Sequence, residues 1–496
     1  MRNEMAYQAQ ANDAAPAPGG RPVPPWLKNV LLCVVLLVLA SDFGRGWEQA
    51  AIPHYPTDPD VVQIWGGASE VTRFADTVRW WTGPWIEQHS LHYRPIVSYL
   101  MWAEYRLAGP HETLWLRVNL ILYLLFVLEI YWLGAFLFRS RWAGFIAGLI
   151  FAVPFNDFGW AFRGRILGFF PGQTDQLCGF FYLLALIALV AALRRRSGAL
   201  YLASLGTFAL AIGSKEMAYS FPFVATALIW HEGRTGWRWA GLAAPFWLTA
   251  VALFALRTSI VGLHIIPGRT ATAESLADKP LQLLRYLAAP VSYGATRETW
   301  WVLVAGFLIG TTAWAIAARP RVRRYTHFAL LGCGLAIAGV AQLFGGDWWR
   351  AFMLVDPQSL GIATQTAVAI LVVTFLYARH RRAAVLGYAT VFFLYLPMWI
   401  RPAQDYYYLP FAGWALLDGL WLGALFVVWR RMVGRWVWVA YAALPAGAAA
   451  LALFRAQLVT ARMDDVVWIA LIPLAALALW QEREETCLPA PKTNTA

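Results

Sequence analysis

Apolar runs close to the ~20 residues that cross a bilayer recur along nearly the whole chain. The gaps between them are sorted by charge. Arginines cluster in every second gap: Arg139/Arg141, Arg194 to Arg196, Arg234/Arg238, Arg319 to Arg324, Arg379 to Arg382 and Arg430 to Arg435. Carboxylates crowd the other gaps: Asp42 to Glu112, Asp157, Asp175, Glu216, Glu274 to Glu298, Asp347/Asp356, Asp405 and Asp464/Asp465. Short cytoplasmic loops retain Lys and Arg, so this alternation implies a topology and puts a long acidic loop, 41–113, on the outer face. Only 14% of residues are charged, whereas a soluble chain carries about a quarter. The expected fold class is therefore an all-α polytopic membrane protein.

The pattern predicts about fourteen spans with both termini inside. They fall at 26–40, 114–138, 142–158, 177–193, 199–213, 219–231, 239–262, 300–318, 326–344, 362–378, 384–400, 406–429, 436–454 and 466–480. Residues 1–25 are polar and then Ala/Pro/Gly-rich, and read as a disordered cytoplasmic tail. Residues 26–430 form the main membrane region, 431–480 add C-terminal helices, and 481–496 are a second cytoplasmic tail. Within loop 41–113, amphipathic stretches at 70–85 and 96–107 predict helices lying on the membrane surface. A second outer segment, 263–299, has room for another.

The net charge of +12 does not point to nucleic acid, because the excess arginine sits in short loops beside apolar spans. Four scattered cysteines without a C-x-x-C pair indicate neither a disulfide framework nor a metal cluster. Tryptophans at span edges, such as Trp80/Trp81/Trp85 and Trp348/Trp349, suit the interfacial belt.

The residues that could carry chemistry gather at the outer edges. Asp58 and Asp60 stand two apart in a Pro-rich stretch, which predicts an extended segment with both side chains on one side. Such a pair serves as a general base, as oxygen ligands for a divalent cation such as Mg or Mn, or as plain turn residues. Arg94, in His92-Tyr93-Arg94-Pro95, offers a fork for phosphate oxygens or snorkels to a headgroup. Asp157 follows the third span, and Arg163 and Arg165 lie in the next loop. Asp175 either caps its helix or is a functional buried acid. Lys215 and Glu216 form a local ion pair or present the ammonium to an anion. Tyr406 to Tyr408 fit an aromatic belt.

The order of these segments resembles the polytopic GT-C glycosyltransferases, and within them the O-mannosyltransferases that carry tetratricopeptide repeats. Pro59-Asp60-Val61-Val62 resembles their Asp-Asp-Val motif, with proline in place of the first aspartate. Tyr93-Arg94-Pro95-Ile96 is similar to their Tyr-Arg-Pro-Leu, and Pro110 to Asn119 echoes Pro-x-x-Phe-His-x-x-Asn. Gly172 to Leu177 resembles Gly-Arg-x-Asp-Leu-Leu, Lys215-Glu216 their Lys-Glu pair, and Tyr406 to Pro410 their Arg-Tyr-Leu-Tyr-Leu-Pro. Their His-Pro-x-His reads Val153-Pro154-Phe155-Asn156, and their repeats have no counterpart in these 496 residues, which leaves the acceptor open.

The resemblance, over roughly 55–425, implies a hexosyltransferase, with mannose one candidate sugar. It would move that sugar from a polyprenyl-phosphate donor to a protein, glycan or lipid acceptor outside a bacterial inner membrane. It implies Asp60 as general base, with Asp58 beside it. Arg94 and Lys215, with Arg163 and Arg165, would meet the donor phosphate. Asp175, Glu216, Asp157, Tyr93 and Tyr408 would support them, with Glu216 orienting Lys215. Asp42 and Asp157 stand next as base candidates. A lipid-linked oligosaccharide transporter, whose intramembrane acids would be Glu129 and Asp418, and a polysaccharide polymerase or ligase are the competing readings.

Overall fold

A computed structural model describes residues 24–51, 59–86, 92–152, 166–233, 236–262, 386–387, 389–394, 408–417 and 419–420. Asp58, Asp157, Arg163, Arg165, Asp418, the segment 263–299, five of the expected spans, residues 1–23 of the first tail and all of the second lie outside the described residues. Among those described, every regular element is helical: α1 (Pro25–Ala51), α2 (Pro59–Glu70), α3 (Pro95–Ala108), α4 (Glu112–Phe138), α5 (Arg141–Ala152), α6 (Gln173–Arg195), α7 (Gly198–Ser214), α8 (Phe221–His231) and α9 (Gly236–Val261).

Among the described residues, three stretches are long and apolar enough to cross a membrane: Glu112–Phe138, Phe170–Arg195 and Gly236–Val261. Shorter apolar helices cover Trp26–Ser41, Arg141–Ala152, Gly198–Ser214 and Tyr408–Leu417. Two expectations shift. The first span continues as one helix through Gly44 and Gly46 to Ala51, with no proline before Pro53 to break it. The segment 70–85 is a 3-10 turn, Phe74–Val78, and a single α turn, Arg79–Thr82, where a longer helix was expected. Gly83 ends that turn in extended backbone.

α4 and α6 form the centre. α7 folds back along α6 through Arg196, which takes a left-handed conformation, and Ser197, whose hydroxyl accepts from Leu200 N at 3.3 Å. α5 returns along α4 through Arg139, also left-handed. Close approach of α4 and α5 depends on small residues: a Cβ on Gly144 would sit 2.7 Å from Ala135 N, and one on Gly148 would sit 2.9 Å from Leu36 Cδ1 of α1. Glycines four apart on one helix face let backbones meet where lipid supplies no hydrophobic drive.

The two ends of this bundle differ in chemistry. At one end Arg194 donates to Glu232 at 2.6 and 3.0 Å and to Phe136 O at 2.5 Å, tying the C-terminal ends of α4, α6 and α8 together. At the other end Asp175 lies in the first turn of α6. From Asp175 to Arg194 the helix rises about 28 Å at ~1.5 Å per residue, close to the ~30 Å hydrocarbon core of a bilayer.

A smaller unit packs beside the Asp175 end. α2 buries Val61, Ile64 and Ala68, spaced for one helix face, against α3 and the Phe170–Gly172 turn. Trp65, Trp115 and Phe170 close its centre, with Trp65 stacked on Phe170 at 5.7 Å. Trp102 and Arg106 of α3 both donate to Val71 O, fixing the chain where α2 ends.

Candidate functional site

Four of the expected residues meet where the smaller unit joins the bundle. Arg94 precedes Pro95, which excludes helical backbone at Arg94 (φ −140°, ψ 61°) and starts α3 at the proline. Lys215 ends α7 in extended backbone (φ −160°, ψ 149°), and Glu216 then opens a 3-10 turn, Glu216–Ser220. Extended backbone throws neighbouring side chains to opposite sides. Lys215 therefore reaches Asp175 Oδ1 at 2.5 Å, while Glu216 accepts from Arg94 Nη2 and Nε at 3.0 and 3.3 Å. The expected Lys215–Glu216 partnership is replaced by two crossed pairs, 40 and 122 residues apart in sequence.

The surroundings differ for the two pairs. Lys215 and Asp175 are almost wholly buried, with side chains 6% and 3% exposed. Asp175 lies in the first turn of α6, where the amide ends of the helix favour a carboxylate. The Cys178 thiol, one turn on, donates to Lys215 O at 3.8 Å. Glu216 is 29% exposed and Arg94 10%, so this pair faces outward. The guanidinium lies over the Trp85 ring, 5.0 Å from its centroid, a cation–π contact that holds the fork in place. His92 Nδ1 lies 3.4 Å from Glu216 Oε1 and 3.3 Å from Arg94 Nη2, and its side chain is half-exposed. Trp85 N donates to His92 O at 2.7 Å, closing this loop on itself.

Charge state follows from these neighbours. Burial pushes the Glu216 carboxyl up, but the Arg94 guanidinium and the His92 hydrogen bond outweigh it and hold the group well below the usual carboxylate range. Burial pulls the Lys215 ammonium below the usual lysine value despite Asp175. The Arg94 charge pulls His92 down, which favours neutral imidazole at rest. Two acids and two bases thus balance, with a half-exposed imidazole at the edge.

The other expected residues divide. Tyr93 is buried behind Arg94, its hydroxyl donating to Trp81 O at 3.2 Å; burial pushes its phenol up. Tyr408 is not in the cluster. Its ring stacks on Phe126 at 4.3 Å and packs against Gly179, one turn deeper on α6 than Asp175. Its place is the apolar core. Asp60 is the second residue of α2. The extended reading is corrected at Asp60, because Pro59 starts the helix there, while Asp58 lies outside the described residues. Among the described residues no group of three His, Cys, Asp or Glu side chains is placed to hold a metal ion.

Two members of the cluster carried no expected role, His92 and Trp85. His92 was within reach of sequence reasoning, since it stands two residues before Arg94. Trp85 read only as part of an interfacial belt.

Compared with known protein families, curated proteins and solved structures, the chain matches none.

Proposed function

We propose that this protein is a membrane glycosyltransferase that moves a sugar from a polyprenyl-phosphate donor to an acceptor on the extracytoplasmic face. The observation that carries the reading is the meeting of Arg94, Asp175 and Lys215-Glu216. They come from three separate motifs of the resemblance and converge in one cluster at the end of the bundle away from Arg194. By the positive-inside rule that end faces outward.

The chemistry suits such a donor. Arg94 and Lys215 would stabilise the phosphate as the bond from the anomeric carbon to phosphate oxygen breaks. The acceptor oxygen forms the new bond to that carbon, and its proton passes to Asp60. The lipid phosphate leaves along the membrane. The resting charge balance means that a phosphate enters by displacing Asp175 or Glu216 from its cation, so the pairs act as placeholders that keep Arg94 and Lys215 oriented. A divalent cation at Asp58 and Asp60 and the identity of acceptor and sugar belong to the same proposal.

The experiment is transfer from a panel of radiolabelled polyprenyl-phosphate sugars by protein in lipid nanodiscs. Asp60→Asn is expected to lower turnover at least 100-fold and Arg94→Lys at least 10-fold, with unfolding temperature unchanged in Asp60→Asn. Full activity in Asp60→Asn would move the base to Asp42 or Asp157. Binding of a lipid-linked glycan without turnover of any donor would favour the transporter.

A further inference from the structure

Behind the charged cluster, on another face of the α6 N-terminus, lies a second polar group with a different composition. Glu104 sits in the buried stripe Val97, Met101, Glu104 of α3, where helix periodicity calls for an apolar side chain. Asn119 holds a core position on α4, and Gln173 and Gln176 hold core positions on α6. Asn119, Gln173 and Gln176 are fully buried, and Glu104 is 6% exposed.

A contact joins Gln173 to Glu104, and helix register sets Asn119 and Gln176 nearby. Gln173 Nε2 donates to Glu104 Oε1 at 2.9 Å and to Trp115 O at 3.3 Å. Asn119 follows Trp115 by one turn, and Gln176 follows Gln173 by one turn. α4 and α6 both run from the outer end inward, so this register sets Gln176 level with Asn119. Asn119 Nδ2 donates to Ile166 O at 2.8 Å and to Phe169 O at 3.2 Å. These donations fix which way the Gln173 and Asn119 amides face, and leave their oxygens directed elsewhere.

What remains is a surplus of acceptors. Glu104 Oε2, Gln173 Oε1, Asn119 Oδ1 and both amide atoms of Gln176 are buried without a hydrogen-bond partner. Four of these five atoms are oxygens. Glu104 has no Lys, Arg or His against it among the described residues, unlike Asp175 and Glu216. Burial pushes the Glu104 carboxyl up to about 8, the mark of a buried acid with no cation beside it. Buried polar atoms in native proteins are nearly always satisfied.

We propose that Glu104, Asn119, Gln173 and Gln176 bind a dehydrated alkali cation, sodium or potassium, between α3, α4 and α6. Carboxylate, amide and carbonyl oxygens are the ligands such hard cations take. One carboxylate among neutral amides matches a single positive charge, whereas a divalent ion would leave excess charge buried. The ion would fasten α3 to the bundle beside Arg94. This inference does not depend on the glycosyltransferase reading.

The test is thermal unfolding of the full chain in nanodiscs, in sodium, potassium or N-methylglucamine chloride at equal ionic strength, with magnesium chloride as a further arm. The expected result is a saturable rise of several degrees with sodium or potassium over N-methylglucamine. That rise should vanish in Glu104→Gln and need at least tenfold more salt in Gln176→Leu. Equal unfolding temperatures in all monovalent salts would overturn the proposal and leave buried water as the occupant. A rise with magnesium alone, or an undiminished sodium or potassium response in both variants, would overturn it as well.

Discussion

Lys215 and Glu216 are neighbours in sequence with different fates, and the difference lies in one backbone conformation. Their adjacency suggested a local pair, while extended backbone at Lys215 sends them to Asp175 and Arg94. The importance of each residue was legible from its type and place at a span edge. Their pairing was not, because the distances along the chain carry no local signal. Breaking the buried Lys215–Asp175 pair strands a charge, so Lys215→Met or Asp175→Asn alone is expected to cost about 3–5 kcal/mol in thermal unfolding. The double variant should recover most of that loss. Glu216 supplies a pH signature. A carboxyl held below its usual range contributes stability that is present above the ordinary carboxylate pKa and is lost as pH falls through its lowered value. Arg94→Gln removes the main stabilising charge, so acid unfolding should begin at a higher pH than in the parent protein, as followed by circular dichroism.

Helices were the most legible elements, since apolar runs and charged gaps mark them directly. Where they end was less so. Arg139 and Arg196 close α4 and α6 in the left-handed conformation that glycine favours, and nothing in their side chains announces it. The α4–α5 contact was also hidden, because Gly144 and Gly148 look like filler in an apolar run until the facing backbone is known. Gly144→Val should destabilise by about 1–3 kcal/mol, read as a fall in unfolding temperature in detergent. Gly206→Ala on α7 meets no atom within 4 Å and should be neutral or slightly stabilising.

At the scale of the whole molecule, sorted charge becomes a bundle with an arginine clamp at one end and a balanced polar cluster at the other. The order of the helices could be read from hydropathy, but the way one α6 face serves the ion pairs and another serves Glu104 could not, because helix facing depends on neighbours. Orientation is testable with single cysteines in a background lacking the native four. A cysteine at Asp76 should react with an impermeant maleimide on intact cells, and one at Gly198 only after permeabilisation. The electroneutral cluster also has a thermodynamic side. A phosphate arriving there would add negative charge beside the half-exposed His92, which would raise its basicity. Under the proposed function, donor uptake would thereby be linked to proton uptake: affinity should rise as pH falls from about 8 to about 5, and His92→Gln should flatten that profile. The free energy that holds the lipid headgroup would then come partly from the acidity of the compartment the protein faces.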